Sequence, residues 1–359
     1  MSTHFANSVL RSRLVSAIEV EQVPWLWSGW IARRALSVLD GDPGLGKSTL
    51  SFWLAARVSR GLPLPGEAKN TQRAPAGVLI ASAEDSAAHT IRPRLEAAGA
   101  DLDRIRIIDD VGEPDESGET TRNLQLPADL PLIEEQMKRD GASLLIVDPL
   151  MAYVGRDRQG RLIDPNRELS ARKLLNDLKR LSESTESAVL VVRHLTKSGR
   201  ASAVHRGTGS IGITGAARSV LLAGMHPEDA DSRVLAMVKT NLAPRPKSWT
   251  YQFRTTENIA TIAWGGACDL FADDLLSLRN KGNSEELGPV EKWLWDVLSQ
   301  GPKEANKIYQ MGRNAGISPR RVWTAAKTIR VSKWKSGFQG SWIWQLPTEP
   351  DMTEMPPLE

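Results

Sequence analysis

Leu36-Ser37-Val38-Leu39-Asp40-Gly41-Asp42-Pro43-Gly44-Leu45-Gly46-Lys47-Ser48-Thr49-Leu50 decides the fold. A short apolar strand enters a glycine-rich turn and then a helix that opens on Lys47. From Gly41 to Ser48 the residues fit G-x-x-x-x-G-K-[ST]. In that pattern the glycines let the backbone curl, so that successive N–H groups and a helix N-terminus surround a polyphosphate. Gly41, Asp42, Pro43, Gly44, Leu45, Gly46, Lys47, Ser48 and Thr49 are therefore the nucleotide-binding candidates. Lys47 is suited to the β and γ phosphates and the Ser48 hydroxyl to Mg²⁺. Leu50, Trp53, Leu54 and Val58 recur at helical spacing behind the turn, so the glycines stand in a strand–loop–helix frame and not in an isolated surface turn.

The rest of the chain is compatible with an α/β protein built on that frame. With 359 residues there is room for one large domain and a smaller one, and 41% hydrophobic with 25% charged residues is ordinary globular composition. The single cysteine, Cys268, cannot form an internal disulfide. The first residues lack the basic and apolar run of a signal peptide, and no window holds eighteen uninterrupted apolar residues. A cytoplasmic protein without a membrane span is expected. The formal net charge is only +3, so a nucleic-acid footprint would have to come from local clusters of cations.

Working outward, residues 1–24 are a polar lead, and Trp25, Trp27 and Trp30 crowd before the first core strand, against the sheet edge or a neighbouring subunit. Gly77 to Asp85 reads as a buried strand ending in two carboxylates, Glu84 and Asp85. Acids at the carboxyl end of a parallel strand face the ligand. Glu84 is the candidate general base that orients the attacking water, while both acids also suit capping of the helix from about Ser86 to Ala98. Arg104 to Ile108 is a third strand, Glu113 to Thr121 an acidic polar loop, and Leu130 to Arg139 a helix. Ser143 to Asp148 is an apolar strand ending in a carboxylate, with Asp148 placed to reach Mg²⁺. Ala188 to His194 is another buried strand whose terminal His194 is suited to sensing a γ-phosphate, against the alternative of a structural histidine. The loop from Gly155 to Asn166 carries Arg156, Arg158 and Arg161. The segment from Leu195 to Ser210 carries Lys197, Arg200 and Arg206, as a surface connection or as a grip on a phosphate backbone. After a helix from Ile211 to Arg218, four strands finish the sheet in hairpin style, with Arg218 and Lys239 as notable cations.

Together these residues resemble the RecA-like hexameric ATPases of the RepA replicative-helicase type, with their AAA-like phage and actinobacterial relatives. The likeness runs from about Trp25 to Phe253 and rests on Gly41 to Thr49, Ala83-Glu84-Asp85, Val147-Asp148-Pro149-Leu150, Val192-Arg193-His194 with Lys197, Gly215-Ala216-Ala217-Arg218 and Lys239-Thr240-Asn241. It implies a RecA-like core over residues 25–268, with a mostly parallel sheet, that binds ATP and Mg²⁺. It further implies Lys47 and Ser48 on phosphate and metal, Glu84 as catalytic base, Asp148 on Mg²⁺, His194 as sensor, and Arg218 as an arginine finger acting in trans with Lys239 beside it. Single-stranded DNA, a hexameric ring and a replication initiator or primase are the partners that follow. Where many relatives carry a second histidine before the sensor, this chain has Arg193. A recombination or loading ATPase, or a DNA-binding regulator that uses ATP as a switch, are the other readings of the same core; Glu84 and Asp148 together weigh against the switch.

Residues 269–286 read as a charged linker. Over 287–347, helices at Val290 to Leu298, Lys303 to Ala315 and Pro319 to Ile329 precede two strands flanking Ser336 to Gly340, an order that resembles a winged-helix module. Arg320, Arg321, Lys327 and Arg330, with Lys333 and Lys335, carry no acidic residue among them, the pattern of a recognition helix meeting phosphates; a protein contact is the alternative. Residues 348–359 form an acidic, proline-containing tail, expected to be disordered.

Overall fold

The computed structural model describes residues 12–115, 118–157, 159–164, 167–195, 211–275, 288–329, 331–335 and 341–346. The chain divides into two units, Met1–Leu278 and Arg279–Glu359.

In the first unit, β1 (Trp25–Trp27) and β2 (Ile31–Ala32) form a small antiparallel hairpin. The main sheet takes β3 (Ala35–Gly41), β4 (Gly77–Ser82), β5 (Ile105–Ile107), β8 (Ala142–Asp148), β9 (Ala188–His194), β10 (Ser219–Met225), β11 (Arg233–Thr240), β12 (Ser248–Thr256) and β13 (Ile259–Cys268). Its order is β13-β12-β11-β10-β3-β9-β8-β4-β5. The strands from β10 to β5 run parallel, and β11 to β13 close one side as an antiparallel meander. The expectation of a mostly parallel α/β sheet holds. In this order β9 lies between the strand that feeds the glycine-rich loop and the strand that ends on Asp148.

Both sheet faces are buried, which is why the parallel strands read as continuous apolar runs. Alternate residues serve opposite layers. Val38, Leu79, Leu145, Val147, Val189 and Val191 pack on the side of α3 (Leu130–Arg139), the short α4 (Leu150–Tyr153) and α5 (Glu168–Ser184). Leu39, Val78, Ile80, Ile146, Leu190 and Val192 pack on the side of α1 (Lys47–Ser59). Trp27 stacks on Trp30 at 5.0 Å and meets the edge of Trp264 at 5.9 Å. Trp27 and Trp30 thus pack into the core on the α1 side of the sheet.

Three expectations need correction. The polar segment around Glu113 to Thr121 is a hairpin, β6 (Val111–Asp115) and β7 (Gly118–Arg122), its register fixed by backbone pairing despite a composition poor in apolar residues. The helix expected from Ser86 opens as a π-helical turn over Ala87–Ile91 before α2 (Arg92–Ala97). The linker does not begin at Asp269: Ala272 and Leu275 are buried in the first unit's core, and Leu275 lies 3.0 Å from where a Cβ on Gly224 would stand.

The second unit runs α7 (Pro289–Ser299), β14 (Lys303–Glu304), α8 (Ala305–Asn314), α9 (Pro319–Thr328), β15 (Ser332–Lys335) and β16 (Trp342–Gln345). The strands pair antiparallel in the order β14-β16-β15. The second helix therefore starts two residues later than expected, because Lys303 and Glu304 join the sheet and two residues leave no periodicity to read. Leu294, Ile308, Val322, Ala325, Ala326 and Trp344 form the core of this unit. Ser318 caps α9 as expected, its hydroxyl accepting from the Arg321 N–H.

Candidate nucleotide site

The carboxyl ends of β3, β9, β8 and β4 gather the expected residues at one edge of the sheet. Gly44 and Gly46 take φ values of +81° and +76°, which only glycine adopts without strain. Lys47 is the first residue of α1 and is buried. Its ammonium donates to the Asp42 carbonyl at 2.9 Å. Burial draws its pKa below the ordinary lysine value, and the fields of Asp148, Asp42, Asp40 and Glu84 oppose that.

Asp148 ends β8 and is 4% exposed. Burial pushes its carboxyl up to about 6, the neighbouring Ser48 hydroxyl works against the rise, and Asp85 adds to it. His194, in register with Gly41, brings Nε2 to 3.8 Å from Glu84 Oε2. Glu84 stands at the open mouth, 64% exposed, whereas Asp85 is drawn aside to Arg94 at 3.4 Å. That contact separates the two acids: Asp85 braces α2, and Glu84 faces the site.

The site fits a magnesium-bound nucleotide on its own terms. Asp148 Oδ2 is buried without a partner, and the N-terminus of α1 carries no side-chain cap, so an unsatisfied acceptor and unsatisfied donors converge. A polyphosphate would take the N–H groups. Ser48 and Asp148 would hold Mg²⁺, a cation that keeps several waters and uses one or two protein ligands together with phosphates. No cluster of three or more acidic, histidine or cysteine side chains suited to a metal occurs among the described residues. The bound metal would supply charge neutralisation at the phosphates, with Lys47 suited to orienting them and Glu84 to holding the attacking water.

Two aromatic residues from the meander complete the loop, and neither carries a local signal in the sequence. The Tyr251 hydroxyl, fully buried on β12, donates to the Leu45 carbonyl at 2.8 Å. The Phe253 ring lies 2.4 Å from where a Cβ on Gly46 would stand, and Arg233 stacks on that ring at 4.3 Å from its centroid. A strand about 200 residues downstream thus fixes the shape of the phosphate loop.

A family model described as an AAA domain matches residues 6–200, more than half of the 359-residue chain. The chain belongs to this AAA-domain family. It is a P-loop ATPase with a RecA-like core, and ATP hydrolysis is the activity that its family and site geometry share. No curated protein matches the chain, and no described helix is long and apolar enough to cross a membrane.

Arg218, Lys239, Arg156 and Arg161 make contacts of their own within this ATPase. The Arg218 N–H donates to the Leu36 carbonyl at 2.9 Å, and Asn241, with its amide oriented to match, takes Arg218 Nη1 at 3.0 Å. This is the amino edge of the sheet. The Lys239 ammonium donates to the carbonyls of Thr214, Gly215 and Ala217 at 2.9, 3.0 and 3.1 Å. It caps α6 (Ile211–Ala216). Arg156 is exposed and donates to the Gly160 carbonyl at 2.7 Å. Arg161 is committed to the buried Asp157 through Nε at 3.0 Å and Nη2 at 2.8 Å, a carboxylate that Lys173 shares at 3.3 Å. These bonds hold Asp157 well below the usual carboxylate range. Arg320, Arg321 and Lys327 are exposed on α9, with Lys327 4.0 Å from the centroid of Trp323. Arg158, Lys197, Arg200, Arg206 and Arg330 lie outside the described residues.

Proposed function

We propose that this ATPase is a motor on single-stranded DNA, of the RepA replicative-helicase kind, working as a ring of identical subunits, with hexameric symmetry the expected form. The observation that carries the reading is the place of Arg218. It sits beside Leu36, and the loop begins at Gly41 on the same strand, a span of about 17 Å at the usual strand rise. That is beyond the reach of an arginine side chain, so Arg218 serves a nucleotide only if that nucleotide belongs to a neighbour. The second unit is proposed to be a winged-helix module that meets DNA through Arg320, Arg321 and Lys327; its helix–strand–helix–helix–strand–strand order and its exposed cations support this. Arg156 is proposed to line the DNA channel.

The test is complementation. Arg218→Ala and Lys47→Ala subunits, each inactive alone, are mixed in equal amounts, and ATP turnover is measured with and without single-stranded DNA. Random head-to-tail association completes roughly a quarter of the interfaces, each with an intact loop facing an intact arginine, so activity of that order should return. A mixture as inactive as its components, while light scattering shows co-assembly, overturns the trans assignment. Turnover indifferent to single-stranded DNA overturns the motor.

A further inference from the structure

Below the phosphate loop and the His194 tip, β3 and β9 are joined by a charged pair that the chemistry described above does not use. Asp40 and Arg193 are register partners, with side chains 2% and 1% exposed. Arg193 Nε donates to Asp40 Oδ1 at 2.8 Å and Nη2 to Oδ2 at 2.7 Å. Nη2 also meets the Thr214 hydroxyl at 3.2 Å, which seats the guanidinium from the α6 side. Each partner is followed in the chain by a functional position: Gly41 opens the phosphate loop, and His194 faces Glu84.

Stability alone does not explain this pair. Taking two opposite charges out of water costs about what their attraction returns, and well-packed apolar side chains of similar volume are as stable or more so. The same two strands show that alternative directly, since Val38 pairs Val191 and Leu39 pairs Val192 just below. What a forked pair adds is geometry. Two parallel N–H···O bonds fix both distance and angle between the two side chains, whereas apolar contacts are non-directional and leave the local orientation of the strand ends looser. Asp40 also contributes to the field at Lys47.

We propose that Arg193 is a positioning residue that, by forking onto Asp40, holds His194 at a fixed height against Gly41 and the phosphate loop. The inference rests on the reading of His194 as the group that contacts the γ-phosphate. It concerns alignment of the hydrolysis step and not the capture of nucleotide, because the loop that grips the phosphates keeps its own glycines and helix terminus.

The experiment uses the full chain and three variants. Asp40→Leu/Arg193→Met replaces the pair with apolar side chains of similar size. Arg193→Lys keeps the charge but loses the fork. His194→Ala controls for the parent reading. The apolar double variant should unfold at or above the wild-type midpoint and bind ADP within about threefold of wild type. Its kcat should fall roughly ten- to a hundredfold with KM for ATP little changed, the cost of a small misplacement of a reacting group. Arg193→Lys should lose kcat as well, since neutralisation without the fork does not restore the alignment. A wild-type kcat in the double variant overturns the inference, and so does a parallel loss of ADP affinity, kcat and unfolding midpoint, which would mark a merely structural pair. If His194→Ala leaves kcat unchanged, the parent reading falls and this inference with it. If His194→Ala lowers kcat while the double variant does not, this inference alone falls.

Discussion

Replacing Asp148 with asparagine should make the nucleotide-free protein more stable while abolishing its use of Mg²⁺. Burial holds the Asp148 carboxyl at about 6 against an ordinary 3.8. At about 1.4 kcal/mol per pKa unit, the ionised form is disfavoured in the fold by about 3 kcal/mol. A raised pKa sets the sign: the folded state is spared this cost below about pH 3.8, takes it on progressively as pH rises through about 6, and carries all of it at pH 7.5. An amide at this position would keep the shape and the approach to Ser48 without the charge. In EDTA at pH 7.5 the Asp148→Asn variant's first-unit transition should therefore lie above wild type, by roughly 5–10 °C for a domain of this size. At pH 4.5 only about a third of the free-energy difference should remain, and toward pH 3.5 it should nearly vanish. The assay is thermal unfolding by circular dichroism across that pH range, with nucleotide and metal removed. An Asp148→Asn protein that is less stable than wild type at pH 7.5, or a difference that does not shrink toward acid, refutes the argument. Upon addition of Mg²⁺ and ATP the order should reverse, because the wild type then gains the larger binding energy.

Tyr251→Phe removes only the hydroxyl that holds the Leu45 carbonyl, so urea unfolding should report a loss of about 1–2 kcal/mol, and ATP affinity should weaken with kcat nearly retained; unchanged affinity would separate the loop's shape from this bond. Gly46→Ala combines a left-handed φ with the Phe253 ring in its way, and calorimetric titration should find no nucleotide binding. Adding Phe253→Ala to that variant should recover part of the unfolding midpoint but not the binding, since the backbone strain remains; recovery of binding would assign the whole effect to the ring. If the 155–164 loop grips single-stranded DNA, Arg156→Ala should lower the salt slope of binding by about 0.7, while Arg161→Ala, already neutralised by Asp157, should change it less. Equal losses would show that Arg161 leaves Asp157 in the complex.

What the sequence discloses and what it withholds follow from the range of the interactions involved. Gly41 to Leu50, the apolar runs ending on Asp148 and His194, and α3, expected and found at Leu130–Arg139, are patterns of near neighbours. Glycine freedom, strand burial and helical periodicity write them directly into the order of residues. Tyr251 acts on a carbonyl 206 positions away, and no local pattern marks it. The loop from Gly155 to Asn166 reads as a cluster of free arginines until Asp157 is found buried beneath it and tied to Arg161 and Lys173. Lys239 offers a similar lesson: its position at a strand end is legible, but the three carbonyls at the end of α6 that it meets are not. The hairpin β6–β7 reads as a loop because Gly112, Pro114, Asp115, Ser117 and Gly118 are turn residues and apolar ones are few, while its register comes from cross-strand pairing that composition does not record.

The two edges of the sheet have a consequence in arithmetic. Each subunit carries the phosphate loop at one edge and Arg218 at the other, so, if the arginine acts on a neighbour, a subunit by itself holds two unmatched halves and no finished centre. An open row of n copies then completes n − 1 centres, and closing the row adds one more without adding a subunit. Activity per chain would rise with concentration as rows lengthen and step up on closure, and a single defective copy would silence either the centre it lends to or the one it owns, according to which edge bears the lesion.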